Sequence, residues 1–197
     1  MLQDDGVPWR DQVDLVDRDP PSAIVREDRR SSPRAEENTA ALVQHWTATG
    51  RGPVVLVRHD SRHTDSPLAA GSQGHELQEF LDADAADLLV VKDVNSAFYG
   101  TPDLRSWLDA AGIRDLVTCG IQTNQCVETT TRMGGNLGYR MVVALDATRT
   151  FDLVAEVPGA GQVHMTADEL MRTTAVNLQG GGFATVLSTA EVIARGR

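Results

Sequence analysis

The sequence predicts an α/β fold, a three-layer sandwich in which helices cover both faces of a central parallel sheet of about six strands. Three observations support this class. Short, valine-rich apolar runs alternate along the chain with segments of helical pattern. The runs are apolar at almost every position, which is typical of parallel strands buried on both faces. The length of 197 residues suits one domain with a sizeable core.

The helices are predicted from their periodicity and their end signals. Gly50, Gly112 and Gly138 each follow a helical pattern and mark its end. Thr166 and Glu169 have the spacing of a capping box and mark the start of a later helix. The predicted helices span residues 35–49, 102–111, 127–137 and 166–178.

The strands are predicted from apolar runs of strand length, which lie at residues 53–59, 87–92, 115–121, 140–145 and 183–188. The polar, serine- and glycine-rich segment 60–77 is predicted to be a long surface loop, and such loops often cover sites. We expect residues 1–197 to form a single domain, with residues 1–11 as a flexible N-terminal extension.

Composition and charge exclude several classes of function. The formal net charge of −10 disfavours binding to a nucleic-acid backbone, which needs a basic face. No apolar run approaches the roughly 18 residues that cross a membrane. The acidic N-terminal stretch lacks the basic start and apolar segment of a signal peptide, so we expect a cytoplasmic location. The two cysteines do not form a CxxC pair, which disfavours a disulfide scaffold or a thiolate zinc site.

The basic residues have an unusual composition. Of the 18 lysine and arginine residues, only Lys92 is a lysine. Arginine is in effect always protonated, whereas a desolvated lysine can have a pKa close to neutrality and can exchange a proton. A single lysine in an arginine-rich chain therefore suggests a chemical role at that position, although survival by chance is the alternative.

The segment with the strongest chemical signal surrounds Cys126. A buried strand ends at Ile121, the four polar or small residues 122–125 follow, and Cys126 then opens a predicted helix. A thiol at a helix N-terminus lies near the positive end of the helix dipole, which favours the reactive thiolate. Backbone N–H groups there can also stabilise an oxyanion. The alternative is a small buried residue, which is the expectation for Cys119 inside the strand.

Four segments resemble the isochorismatase-like cysteine hydrolases. The longest is GIQTNQCVETTTRMGGNLGY, followed by a strand and DA. The others are VVKDVNSAFYGT (residues 90–101), PVVLVRHDS with SPL some residues later, and NLQGGGFATVLST (residues 177–189). The resemblance covers the chain from about residue 29 to its end, and the cysteine segment is highly specific.

The resemblance implies a catalytic triad of a cysteine, a lysine and a carboxylate on the first strand. Cys126 and Lys92 match the first two members. It also implies a cis peptide bond between Ile121 and Gln122, with an oxyanion hole formed by the N–H groups of Gln122 and Cys126. The implied fold is Rossmann-like, with strand order 3-2-1-4-5-6. The implied assembly is a homodimer or homotetramer.

Two positions compete for the carboxylate of the triad. Ungapped spacing from the RRSSP match (residues 29–33) favours Asp17, although Asp14 interrupts the apolar character of that strand. The segment that ends at Asp28 is more apolar, but it would leave a much shorter loop before the first helix. We prefer Asp17. A third reading is that the first strand has degenerated.

Further side chains are candidates for binding a metal or the substrate. His59, Asp60 and His63 suggest a metal site, but the D-x-H spacing of the related nicotinamidases is not reproduced, so we expect no metal and no cofactor. These three residues are expected to lie in a loop, some of them lining the pocket. The loop after Lys92 supplies residues that are predicted to bind substrate, with core packing as the alternative for the first aromatic: Asn95, Phe98 and Tyr99.

The sequence therefore predicts a hydrolase of a small amide, ureido or N-carbamoyl substrate, acting through a thioester. The expected partner is a small molecule, not a nucleic acid or a membrane. Two alternatives remain. One is an isochorismatase-type vinyl-ether hydrolase, which needs no cysteine. The other is a non-catalytic relic of the fold that serves as a binding module.

Overall fold

Helices cover both faces of a parallel sheet, so the predicted α/β class is confirmed. The computed structural model describes residues 31–64, 66, 68–72, 75–78, 80, 81 and 86–195, together with the main chain of residues 12–18. The strands are β1 (Gln12–Arg18), β2 (Val54–His59), β3 (Leu88–Lys92), β4 (Asp115–Ile121), β5 (Arg140–Arg149), β6 (Leu153–Val157), β7 (Gly161–Met165) and β8 (Thr185–Leu187). The helices are α1 (Ala35–Thr49), α2 (Leu104–Ala110), α3 (Glu128–Asn136), α4 (Ala167–Gly180) and α5 (Thr189–Arg195).

The main sheet has 6 strands in the order β3-β2-β1-β4-β5-β8, and each neighbouring pair is parallel. Strands β6 and β7 form a separate antiparallel hairpin. The chain order of the main sheet reverses between β1 and β4. In open α/β sheets the crevice at such a reversal, beyond the carboxyl ends of the strands, is where ligands bind.

Alternate residues of the strands pack into two core clusters, one on each face of the sheet. Val55 and Val57 of β2 pack on one face with residues of α2, α3 and α4. Val54 and Leu56 pack on the other face with Leu42, Trp46 and Val192 of α1 and α5. Because successive side chains of a strand point to opposite faces, a strand that is apolar throughout contributes to both clusters.

The helix boundaries agree closely with those expected from the sequence. The first helix has the predicted bounds, and Gly50 ends it with a left-handed φ of 59°. The capping box of α4 is present, with Thr166 and Glu169 each accepting from the other's backbone N–H. No helix in the described part of the chain is both long and apolar enough to cross a membrane.

Three elements differ from the prediction. Strand β5 continues to Arg149, beyond the predicted residue 145. Asp146 and Thr148 end its apolar pattern, but Thr148 still pairs with Gly120 of β4. The β6–β7 hairpin and α5 were not predicted. The sequence of β6, LVAEV, is apolar at four of its five positions, but every residue is exposed, so this run does not belong to the buried parallel sheet that the prediction described.

The close approach of α3 to the loop before β8 generates a stability prediction. A Cβ atom on Gly135 would lie 2.7 Å from the backbone oxygen of Phe183, whereas one on Gly180 would meet nothing within 4 Å. We expect Gly135→Ala to lower the free energy of unfolding by about 1–3 kcal/mol, because the backbone must shift. Gly180→Ala, the matched control, should be neutral or stabilise slightly. Chemical denaturation measures both, and equal effects of the two substitutions would contradict the packing argument.

Candidate active site

The turn after β4 carries Cys126 at the carboxyl edge of the sheet. The peptide bond between Ile121 and Gln122 is cis, as the family resemblance implied. Residues Thr123–Val127 then form a π-helical turn that leads directly into α3. Cys126 therefore lies inside this turn. The sequence had suggested that it would open an α-helix. The Gln122 carbonyl accepts hydrogen bonds from the N–H groups of Gln125 and Val127.

Hydroxyl contacts fasten the π-helical turn to β5. The Thr123 hydroxyl donates to Thr148 Oγ1 at 2.8 Å, and Thr148 donates to the Leu145 carbonyl at 2.8 Å. Thr123 and Thr148 are fully buried. The Thr150 hydroxyl also donates to the Asn124 side chain. These contacts hold the segment that precedes Cys126 in a fixed position over the sheet.

Lys92 and Cys126 are in direct contact. Lys92 Nζ lies 3.3 Å from Cys126 Sγ. Lys92 is only 2% exposed and Cys126 only 4%, so the contact between the ammonium and the thiol is largely shielded from water. A positive charge at this distance favours the thiolate, which is the nucleophilic form of cysteine. The two residues that the sequence singled out independently are therefore brought together.

His59 is the second neighbour of the Lys92 ammonium. His59 and Lys92 are paired residues at the carboxyl ends of β2 and β3, and His59 Nδ1 lies 3.2 Å from Lys92 Nζ. Burial and the charge of Lys92 lower the pKa of His59, while Asp93 and Asp60 act weakly in the opposite direction. The sequence suggested His59 as a metal ligand or, in preference, as a loop residue that lines the pocket. The contact between His59 and Lys92 has one sequence signal, which is that each residue ends a predicted strand.

The residues around the suggested metal site are engaged in other contacts. Asp60 accepts hydrogen bonds from Arg58 at 2.9 Å and lies 2.7 Å from His75 Nε2. Burial raises the pKa of Asp60, but hydrogen bonds from Arg58 and His75 outweigh it, so the pKa is lowered overall. His63 is exposed. Within the described ranges, no group of three or more histidine, cysteine or acidic side chains could hold a metal ion.

The three predicted substrate-binding residues lie in different environments. Asn95 is exposed, and its Oδ1 lies 3.9 Å from Cys126 Sγ. Tyr99 is 70% exposed. Phe98 is 6% exposed and stacks on Tyr139 at 5.6 Å between ring centroids. Phe98 thus packs in the core, the alternative that the sequence offered for it, and its role in substrate binding stays a prediction.

The candidate carboxylates are described in part. The main chain of Asp17 pairs with Val57 of β2 and with Gly120 of β4, one residue before the cis peptide bond. Position 17 is thus the penultimate residue of the central strand. The Asp17 side chain lies outside the described part of the structure, and so does Asp28. The assignment of the triad carboxylate stays a prediction, as does the oxyanion role of Gln122 and Cys126.

Comparison with known proteins identifies relatives over most of the chain. The family model named isochorismatase domain matches residues 13–191. The isochorismatase family protein YrdC of Bacillus subtilis, itself uncharacterised, is 30% identical over 164 residues, which are 83% of this chain and 84% of that protein. A hydrolase of the isochorismatase family from Chromobacterium violaceum is 32% identical, with a TM-score of 0.82, and the match covers 96% of this chain and 94% of that one.

A third relative has a named substrate but a shorter match. The ureidoacrylate amidohydrolase RutB of Methylorubrum extorquens is 44% identical over 81 residues. These residues are 41% of this chain and 32% of that protein. The similarity is high, but it extends over a minority of either chain.

The two cysteines should differ sharply in reactivity. Cys126 contacts an ammonium, whereas Cys119 is fully buried in the cluster beneath α1 and α5. We expect limiting iodoacetamide to alkylate Cys126 and leave Cys119 unmodified in the folded protein, because alkylation requires a thiolate and access to it. Peptide mass spectrometry identifies the labelled site, and Cys126→Ala is the control. Labelling at Cys119, or equal labelling of both, would contradict the expected activation of Cys126.

Proposed function

Because the chain belongs to the isochorismatase family of hydrolases, we propose that it hydrolyses a small amide, ureido or N-carbamoyl substrate through a thioester on Cys126. The observation that carries the proposal is the buried contact of 3.3 Å between Lys92 Nζ and Cys126 Sγ. An isochorismatase-type vinyl-ether hydrolase needs no nucleophilic cysteine. An ammonium buried against a thiol therefore favours covalent amide hydrolysis.

The proposed reaction has two stages. In the first, the Asp17 carboxylate takes the Cys126 proton, and the thiolate sulfur attacks the carbonyl carbon of the substrate. The N–H groups of Gln122 and Cys126 stabilise the resulting oxyanion. The intermediate collapses, the carbon–nitrogen bond breaks, and the leaving nitrogen takes the proton held by Asp17.

In the second stage, water resolves the thioester. Asp17 accepts a proton from the water as its oxygen attacks the carbonyl carbon, and the carbon–sulfur bond breaks. The acid product leaves, and Cys126 regains a thiolate or a thiol. Throughout, the Lys92 ammonium offsets the negative charge that two acidic groups would otherwise concentrate in one buried site.

The substrate class draws support from one relative. The 81-residue match is to a ureidoacrylate amidohydrolase, a protein whose name states that it cleaves a ureido compound. A ureido group presents a carbonyl flanked by nitrogen, which is the group that the proposed thiolate attacks. We therefore place ureido and N-carbamoyl compounds first among the substrates to be tested.

A hydrolysis screen with two cysteine variants tests the proposal. Small amides, ureido acids and N-carbamoyl compounds are incubated with the protein, and released ammonia is measured. We expect Cys126→Ala to abolish turnover, because no thioester forms without the thiol. Cys119→Ala is the matched control and should keep it. If Cys126→Ala retained more than about a tenth of the activity, covalent catalysis by this residue would be excluded.

The register of β1 supports Asp17 as the base. The main chain of Asp17 pairs with Val57 on one side and Gly120 on the other. Val57 lies two residues before His59, and Gly120 directly precedes the cis peptide bond between Ile121 and Gln122. We expect Asp17→Asn to reduce turnover by about a hundredfold or more, the usual scale for a lost general base. Asp28→Asn is the control for the competing register and should cost little. The reverse result would move the base to Asp28 and leave the rest of the mechanism in place. Full activity of both variants would remove the carboxylate from the mechanism.

A further inference from the structure

The proposed mechanism leaves one neighbour of the reactive pair without a role. His59 ends β2 beside Lys92, and its Nδ1 is as close to Lys92 Nζ as Cys126 Sγ is, at 3.2 Å and 3.3 Å. The ammonium thus bridges an imidazole and the thiol.

The chemistry of the two groups determines the direction of the hydrogen bond. A lysine ammonium has three N–H donors and no acceptor. Nδ1 of His59 must therefore be unprotonated and accept, which leaves the ring proton on Nε2. A second N–H of the same ammonium points to Cys126 Sγ. An acceptor that holds one donor of a tetrahedral ammonium restricts where its other donors point.

We propose that His59 is a positioning residue, whose Nδ1 accepts a hydrogen bond from Lys92 and thereby holds the ammonium against the sulfur of Cys126. The inference rests on the proposed hydrolase function and deepens it at the same site. In this scheme His59 does not contact the substrate. It acts through Lys92, and its effect is on the fraction of Cys126 that is thiolate.

The charges around His59 are consistent with a neutral ring. Lys92 faces it from β3, Asp93 follows Lys92, and Asp60 follows His59 itself. Burial and Lys92 lower the pKa of His59, so the neutral, accepting form persists to a lower pH than for an ordinary histidine. Below the pKa of His59, protonation turns Nδ1 into a donor, and the imidazolium then repels the Lys92 ammonium. The proposed contact is therefore intact at neutral pH and lost on acidification.

Two polar substitutions separate an acceptor at Nδ1 from any other property of the ring. The side-chain oxygen of asparagine lies two bonds beyond Cβ, as Nδ1 of histidine does, whereas the polar atoms of glutamine lie one bond further out. His59→Asn therefore keeps an acceptor near Lys92, and His59→Gln displaces it. The readout is the rate at which iodoacetamide alkylates Cys126 across a range of pH, with the site identified by mass spectrometry.

At neutral pH we expect His59→Asn to stay within about threefold of the unmodified protein and His59→Gln to react about tenfold more slowly, with its ionisation midpoint shifted up by about one pH unit. His63→Gln, at an exposed histidine four residues away, is the control and should react normally. Thermal unfolding of each variant shows whether it is folded.

Either of two results overturns the proposal: normal reactivity of both His59 variants, or equal loss in both. The first would mean that Lys92 needs no support from His59, and the second that the acceptor at Nδ1 is not the property that matters. Alkylation requires no substrate, so this test stands apart from the hydrolysis screen. A protein that alkylates as expected but cleaves no amide would refute the proposed function and leave the role of His59 intact.

Discussion

The contact between the Lys92 ammonium and the Cys126 thiol is the constraint on which the candidate site depends. A charged amine that is 2% exposed has lost most of its hydration, and a buried charge is tolerated only when partners replace the lost water. Cys126 Sγ and His59 Nδ1 are two such partners, within 3.3 Å and 3.2 Å. The stabilisation is mutual, because the same ammonium that needs acceptors also favours the thiolate form of the cysteine.

The register of the strands and the turn before α3 bring these groups together. His59 and Lys92 meet because parallel strands of matched register end at the same edge of the sheet. Cys126 reaches that edge on a π-helical turn held to β5 by buried threonine hydroxyls. Gly135 lets α3 sit close against the backbone of Phe183, so the helix that continues this turn is fixed at its far end as well. Two strand ends and one helix entry therefore determine the geometry of the reactive pair.

Much of this arrangement could be predicted from the sequence, because its signals are local. The apolar runs and glycine ends located the helices and most strands, and the lone lysine and the cysteine turn pointed to Lys92 and Cys126. What could not be predicted depends on contacts between distant segments. The pairing of His59 with Lys92 follows from strand register, and the core position of Phe98 follows from its stacking on Tyr139. Strand β6 has an apolar sequence but is fully exposed and packs into neither core cluster, so its place outside the main sheet depends on the tertiary fold.

The separation of the two cysteines has a consequence for the protein under oxidation. Neither cysteine is in a disulfide, and Cys119 is enclosed in the core cluster beneath α1 and α5 while Cys126 faces Lys92 at the edge of the sheet. A nucleophilic thiolate is also the form that peroxides convert to sulfenic acid. Because Cys119 is fully buried inside strand β4, we expect it not to act as the resolving thiol for an oxidised Cys126. Repair of an oxidised Cys126 must then come from a thiol outside the chain, so the reducing capacity of the surroundings sets how long the site survives.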